Sequence, residues 1–183
     1  MRCHWPLVVL CVLPLACNST PDPRQTGFRV DRGNVKAEYS PKTGRLTRLE
    51  VDTNKNGKID SWTYMDGTRI DRIELDKDEN GTIDRWEHYV DNKLARVGTS
   101  TRGDGVEDEW AFQGAGGFLE RVETDTDRDG HVDKWENYEA PLKSGGPPVL
   151  RSVSMDPDSS GRPTRRLLYR ADGSFDRSET INK

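Results

Sequence analysis

The chain reads as all-β: an antiparallel β-meander of tandem units, with tight turns at one end of the sheet and acidic loops at the other. Three observations predict it. Trp62, Trp86, Trp110 and Trp135 fall 24, 24 and 25 residues apart. Each is preceded five positions earlier by a glycine (Gly57, Gly81, Gly105, Gly130) and two positions earlier by an aspartate (Asp60, Asp84, Asp108, Asp133). A fixed period of this size marks one supersecondary unit copied in tandem. Removing a twelve-residue acidic loop from each period leaves only about twelve residues, enough for two strands of five or six but not for two flanking helices. Finally, Met65-Asp66-Gly67-Thr68 and Val90-Asp91-Asn92-Lys93 are hairpin-turn sequences placed where the two strands of a unit pair would meet.

Phe28, Val30, Val35, Ala37 and Tyr39 predict a hairpin leading into the array, closed by Ser40-Pro41-Lys42-Thr43-Gly44. The repeat units then run approximately 44–67, 68–91, 92–116, 117–147 and 148–174 within one domain spanning 28–183. The first strand of each carries an apolar pair: Leu46 and Leu49, Ile70 and Ile73, Leu94 and Val97, Leu119 and Val122, Leu150 and Val153. A spacing of three breaks strict alternation and predicts a bulge in each first strand. The second strand carries the tryptophan and then Tyr64, Tyr89, Phe112 or Tyr138. A loop-plus-one-helix unit is the alternative, but Gly67 and the run Gly114-Ala115-Gly116-Gly117 fall where its helix would have to continue. The last unit follows a Gly/Pro-rich insert between Pro141 and Pro148 and has Arg166 in the tryptophan slot, as a capping repeat should.

Hydrophobic residues make up 32% of the chain and charged residues 33%, against roughly 45–50% (counting glycine) and 25% in ordinary domains. Little apolar burial is available to offset chain entropy. The formal charge of −4 becomes −5 when Arg2 is removed with residues 1–16. This acidity is clustered in the loops, and with no basic stripe the chain is not expected to bind nucleic acid.

The N-terminus is an apolar run from Trp5 to Leu15, too short to span a bilayer, ending in Leu15-Ala16-Cys17 before polar Asn18-Ser19-Thr20-Pro21. That ending resembles the lipobox of bacterial lipoproteins. The resemblance implies a signal peptide over 1–16, lipidation at Cys17, a short tether over 17–27 and a lipid-anchored place in the bacterial cell envelope. Cys3 and Cys11 would leave with the leader, so no disulfide is expected.

The loops carry the chemistry. Calcium takes six to eight oxygens, in EF-type loops from positions 1, 3, 5, 7 (backbone carbonyl), 9 and 12, around a glycine at position 6. The second unit offers Asp76, Asp78, Asn80, the Thr82 carbonyl, Asp84 and Glu87. The fourth offers Asp125, Asp127, Asp129, the His131 carbonyl, Asp133 and Glu136, with Ile83 and Val132 in the hydrophobic eighth slots. The first offers Asp52, Asn54, Asn56, the Lys58 carbonyl and Asp60, but has Thr63 at position 12. The third has Ser100 and Arg102 where ligands belong, so no ion is expected there. The fifth keeps Asp156, Asp158 and Ser160 ahead of Pro163, a weaker set. Two to three calcium ions are expected, with dissociation constants on the order of 10⁻⁴–10⁻³ M as in extracellular modules. Asn-Gly and Asp-Gly also close turns without any metal, and that reading stays open.

Residues 44–170 resemble tandem EF-hand-like calcium loops, as in dockerins and thrombospondin type 3 repeats. The tyrosine–turn–glycine punctuation is similar to the tyrosine–aspartate repeats of bacterial surface proteins. The resemblance implies calcium binding on an exported scaffold with a structural or adhesion role, and an envelope protein or glycan as partner. Trp62, Trp86, Trp110 and Trp135 would form a ladder on one face, either the core or an exposed platform for sugar rings or cell wall. His88 and His131 are the only histidines beyond the leader, and no nucleophile elbow, phosphate loop or His-Glu-x-x-His is present. The chain is therefore not expected to be an enzyme.

Overall fold

A computed structural model describes residues 29–143, 145–158 and 160–181, and among these every regular element is a strand. The leader, Cys17 and Phe28 lie outside the described residues. Thirteen strands form one sheet whose spatial order is the chain order, and every pair is antiparallel. β1 (Arg29–Arg32) and β2 (Val35–Tyr39) make the entry hairpin. β3 (Leu46–Val51), β5 (Arg69–Leu75), β7 (Lys93–Thr99), β9 (Leu119–Thr124) and β11 (Val149–Met155) are the first strands of the units. β4 (Ser61–Asp66), β6 (Arg85–Val90), β8 (Glu109–Gln113), β10 (Lys134–Glu139) and β12 (Arg165–Tyr169) are the second strands. β13 (Phe175–Thr180) adds a sixth first strand that the unit boundaries did not anticipate. The helical alternative is not supported.

The three-residue spacing has the cause the sequence suggested. Tyr64 pairs with Arg72 and Met65 with Ile70, leaving Asp71 as the extra residue of a bulge. The same slip occurs between Arg48 and Leu46, Arg96 and Leu94, Arg121 and Leu119, and Ser152 and Leu150. β13 repeats it between Arg177 and Phe175. One added residue returns the fourth side chain to the face of the first, so both apolar residues share a face. Asp91 and Asn92 both have positive φ, 49° and 59°, the requirement of a type I′ turn whose twist matches its strands. Neighbouring turns are tied together: Asn92 Oδ1 accepts from Ile70 N at 2.8 Å, and Arg45 donates to both Asp66 oxygens at 2.8 and 2.9 Å.

Each strand touches only its neighbours in sequence, and among the described residues no second layer covers either face. One face carries the aliphatic row. Its buried members Ala37, Val97, Val122 and Val153 share a single line of cross-strand partners with Leu49, Ile73, Glu87 and Glu136. The other face carries the tryptophans at one register: Trp62 lies between Glu50 and Glu74, Trp86 between Glu74 and Gly98, Trp110 between Gly98 and Glu123, Trp135 between Glu123 and Ser154. All four indoles are half-buried. They are neither the buried core nor a fully exposed platform. Arg166 does occupy the next tryptophan slot, opposite Ser154.

Candidate metal-binding loops

Strand pairing continues into the loops through positions 1 and 9. Asp60 N donates to Val51 O and Asp76 N to Asp60 O, both at 3.0 Å; Asp84 N donates to Leu75 O and Ser100 N to Asp84 O, both at 2.8 Å. The same steps pass through Asp108, Asp125, Asp133 and Asp156. Anchored this way, Asp52, Asp60, Asp76, Asp108, Asp125, Asp133 and Asp156 are buried, Asp156 at 1% exposure. Among the described residues the two most buried, Asp156 and Asp108, are acids at the loop end of the sheet.

Their oxygens are used locally. Asp76 accepts from Asn80 N at 3.1 Å and Gly81 N at 2.9 Å, and Asp84 accepts from Lys77 N at 2.7 Å. Asp52 accepts from Asn56 N and Gly57 N, and Asp60 from Thr53 N and its hydroxyl. Asp125 accepts from Arg128 N and Gly130 N, and Asp133 from Thr126 N and its hydroxyl. Position 5 closes an Asx turn on position 7: Asn56 on Lys58 N, Asn80 on Thr82 N, Asp129 on His131 N. Position 6 has φ of +95°, +91°, +81° and +91° at Gly57, Gly81, Gly105 and Gly130, a conformation side chains resist.

In two loops the carboxylates also converge. One oxygen each from Asp76, Asp78 and Asp84, and one each from Asp125, Asp127 and Asp133, lie within 4.8 Å of one another. These carboxylate groups could hold a metal ion. Like charges at this separation repel, and a cation among them removes that cost.

At the twelfth position the two glutamates have other partners. Glu87 and Glu136 stand on the aliphatic face, opposite Ile73 and Val97 and opposite Val122 and Val153. Glu87 accepts from Arg85 Nε and the Tyr89 hydroxyl, both at 2.8 Å, and Glu136 accepts from the Tyr138 hydroxyl at 2.7 Å and pairs with Lys134 at 2.6 Å. The cause is the backbone after position 9. In an EF-hand a helix starts there and folds the glutamate back over the ion, whereas here β6 and β10 begin at Arg85 and Lys134 and carry it along an extended strand. Burial pushes the Tyr89 hydroxyl up to about 12, reinforced by the bond to Glu87. Burial raises Glu136, but the bonds from Lys134 and Tyr138 outweigh it and hold the carboxyl below its usual range.

The first loop differs as well. The side-chain amides of Asn54 and Asn56 turn to Glu79 of the second loop, Asn56 Nδ2 at 2.6 and 2.7 Å from its oxygens, with Lys58 Nζ 3.9 Å away. Glu79 was not among the residues the sequence singled out. In the fifth loop Asp156 accepts from Arg162 N and the Ser160 hydroxyl. In the third, Ser100 Oγ replaces the first aspartate, accepting from Asp104 N and Gly105 N, and Asp108 accepts from Thr101.

On the tryptophan face, Trp110 Nε1 donates to Glu107 at 2.6 Å, and a Cβ at Gly98 would collide with that glutamate. Arg72 lies over the Tyr64 ring at 3.7 Å and Arg121 over Phe112 at 4.4 Å. Arg96 approaches His88 Nε2 at 2.7 Å; burial first, then that guanidinium, lowers the imidazole's affinity for a proton.

No protein-family model matches this chain, and no curated protein does. Similar solved structures include a mutant of S. aureus TarM in complex with Fondaparinux, alpha-GlcNAc-glycerol and UDP, at 12% identity and a TM-score of 0.34. That match covers 63% of this chain and 20% of the TarM chain. Another is the structure of accessory secretory protein 1, 2 and 3 in Streptococcus pneumoniae, at 18% identity and a TM-score of 0.37, covering 74% and 24% respectively. The chain thus spans a fifth to a quarter of the length of these structures. The expectation that it is not an enzyme is corrected on this finding: TarM, seen with UDP, stands among its structural neighbours. At these TM-scores the likeness brings no activity to this chain.

Proposed function

We propose that this protein is a calcium-stabilised repeat sheet of the bacterial cell envelope, anchored through a lipid on Cys17 and serving as a structural or adhesion scaffold. The observation that supports it is the pair of convergent carboxylate clusters in the second and fourth loops. Asp76, Asp78 and Asp84, with Asn80 and the Thr82 carbonyl, would hold one ion; Asp125, Asp127 and Asp133, with Asp129 and the His131 carbonyl, a second. An ion bound by the folded state alone stabilises it, by about 1.4 kcal/mol per site at tenfold excess over the dissociation constant. A single-layer sheet with four buried apolar residues among those described gains from such help.

The test is a calcium titration of the purified, chelator-treated chain, following tryptophan emission and melting temperature. A saturable change that magnesium does not reproduce supports the reading. A flat titration on a folded chain refutes it and leaves the loops as metal-free turns, a reading their hydrogen-bonded aspartates favour. The half-buried tryptophans at one register favour a second reading, a glycan- or cell-wall-binding face. Retention on insoluble cell-wall polysaccharide, lost when Trp86 and Trp110 become alanine, would support that one.

A further inference from the structure

We infer that the third loop carries its own cation, the guanidinium of Arg128 from the fourth loop. Arg128 is the fourth residue of its loop, with φ at +63°. Its side chain crosses to the neighbouring loop, where Nη1 and Nη2 grip both Asp104 oxygens and Nη2 also donates to the Val106 carbonyl at 3.2 Å. Nε lies 3.2 Å from Asp108. Asp104, Val106 and Asp108 are positions 5, 7 and 9 of the third loop, the places from which an EF-type loop presents two side chains and one backbone carbonyl to its ion. The guanidinium is therefore seated on the oxygens an ion would use, in the loop whose other ligand places hold Ser100 and Arg102.

The crossing has a pattern. Glu79 and Lys55 occupy the same fourth position, also at positive φ, and Glu79 reaches the preceding loop at Asn54 and Asn56. The third loop has Gly103 there. A side chain built on it would point to within 3.8 Å of Asp84 Oδ1, so glycine leaves the second loop's aspartates without a plug from this position. The fourth residue thus decides what fills the preceding loop: a cation in the third, a carboxylate in the first, nothing from Gly103 in the second. Because Asp125 Oδ1 accepts the Arg128 N–H at 2.7 Å, the same residue joins the two loops mechanically. This holds whether or not the other loops take calcium.

The test is amide hydrogen exchange on the full chain in chelator, so that calcium plays no part. Arg128→Met should speed exchange across residues 100–108 about tenfold, the loss of charge-assisted bonds, and leave residues 76–84 unchanged. Asp104→Asn should act on the same residues, and the double variant should exchange no faster than the worse single one. Where Arg128→Met unfolds the whole array, Arg128→Lys, which keeps the charge and loses the fork, should raise exchange in the third loop alone. Unchanged exchange in residues 100–108, or single effects that simply multiply in the double variant, would overturn the inference.

Discussion

Asp76→Asn and Asp78→Asn separate turn closure from ion binding within one loop. Asp76 is buried and its two oxygens accept from Asn80 N and Gly81 N at 3.1 and 2.9 Å. Asparagine keeps one acceptor and turns an NH₂ toward the other backbone donor. One charge-assisted bond is lost and a buried N–H is left unpaired, which costs about 2–3 kcal/mol. For a chain of this length that lowers the melting temperature by roughly 5–10 °C. Asp78 is exposed: one oxygen accepts from Asn80 N at 3.2 Å, which asparagine retains, and the other accepts from the solvent-exposed Asn80 side-chain amide at 3.0 Å, a bond water can replace. Its metal-free stability should stay within about 0.5 kcal/mol of the parent. Thermal melts in excess chelator, followed by tryptophan emission, measure both. Repeated in calcium, Asp78→Asn should then fall behind the parent, because only there is its charge needed. An Asp76→Asn chain that melts with the parent in chelator would refute the idea that buried aspartates close these loops.

Glu87→Gln should leave the calcium titration unchanged while lowering stability by about 1–2 kcal/mol through the weakened bonds from Arg85 and Tyr89; a titration that shifts tenfold would restore Glu87 as a ligand. Val122→Ala removes two buried carbons from the aliphatic row and should cost about 1–1.5 kcal/mol in denaturant melts, less than in a core closed on both sides. His88 has a folded pKa below its ordinary value, so the unfolded chain binds the extra proton. Its contribution to stability is complete above about pH 6.5 and fades as pH falls toward the folded value. His88→Gln should remove that part of the slope in melts between pH 5 and 8.

The repeat, the meander and the bulges were legible because each leaves a local mark. Tryptophan marks the register, and the pair Ile70 and Ile73 needs Asp71 as an extra residue to share a face. The aspartates at loop positions 1 and 9 were legible for the same reason: their partners are N–H groups within the same few residues. At the twelfth position Glu87 and Glu136 carry the chemistry of a ligand, while their orientation depends on whether the chain leaves the loop as a helix or as a strand. Arg128 and Glu79 were missed because their partners lie one repeat away. The signal was present in the alignment: a basic fourth residue follows the loop whose first and third places lack acids. β13 kept the apolar spacing weakly, in Phe175 and Ser178, and had no loop to announce it.

Strand order equal to chain order has a kinetic consequence. No strand waits for a distant segment, so the largest loop to be closed before a new pair forms is one acidic turn or one hairpin. All-β proteins owe their slow folding to non-local pairing, and this sheet has none among its described strands. It should nucleate at any hairpin and grow outward in both directions, with folding time set by the number of turns to be made and not by the length of the chain.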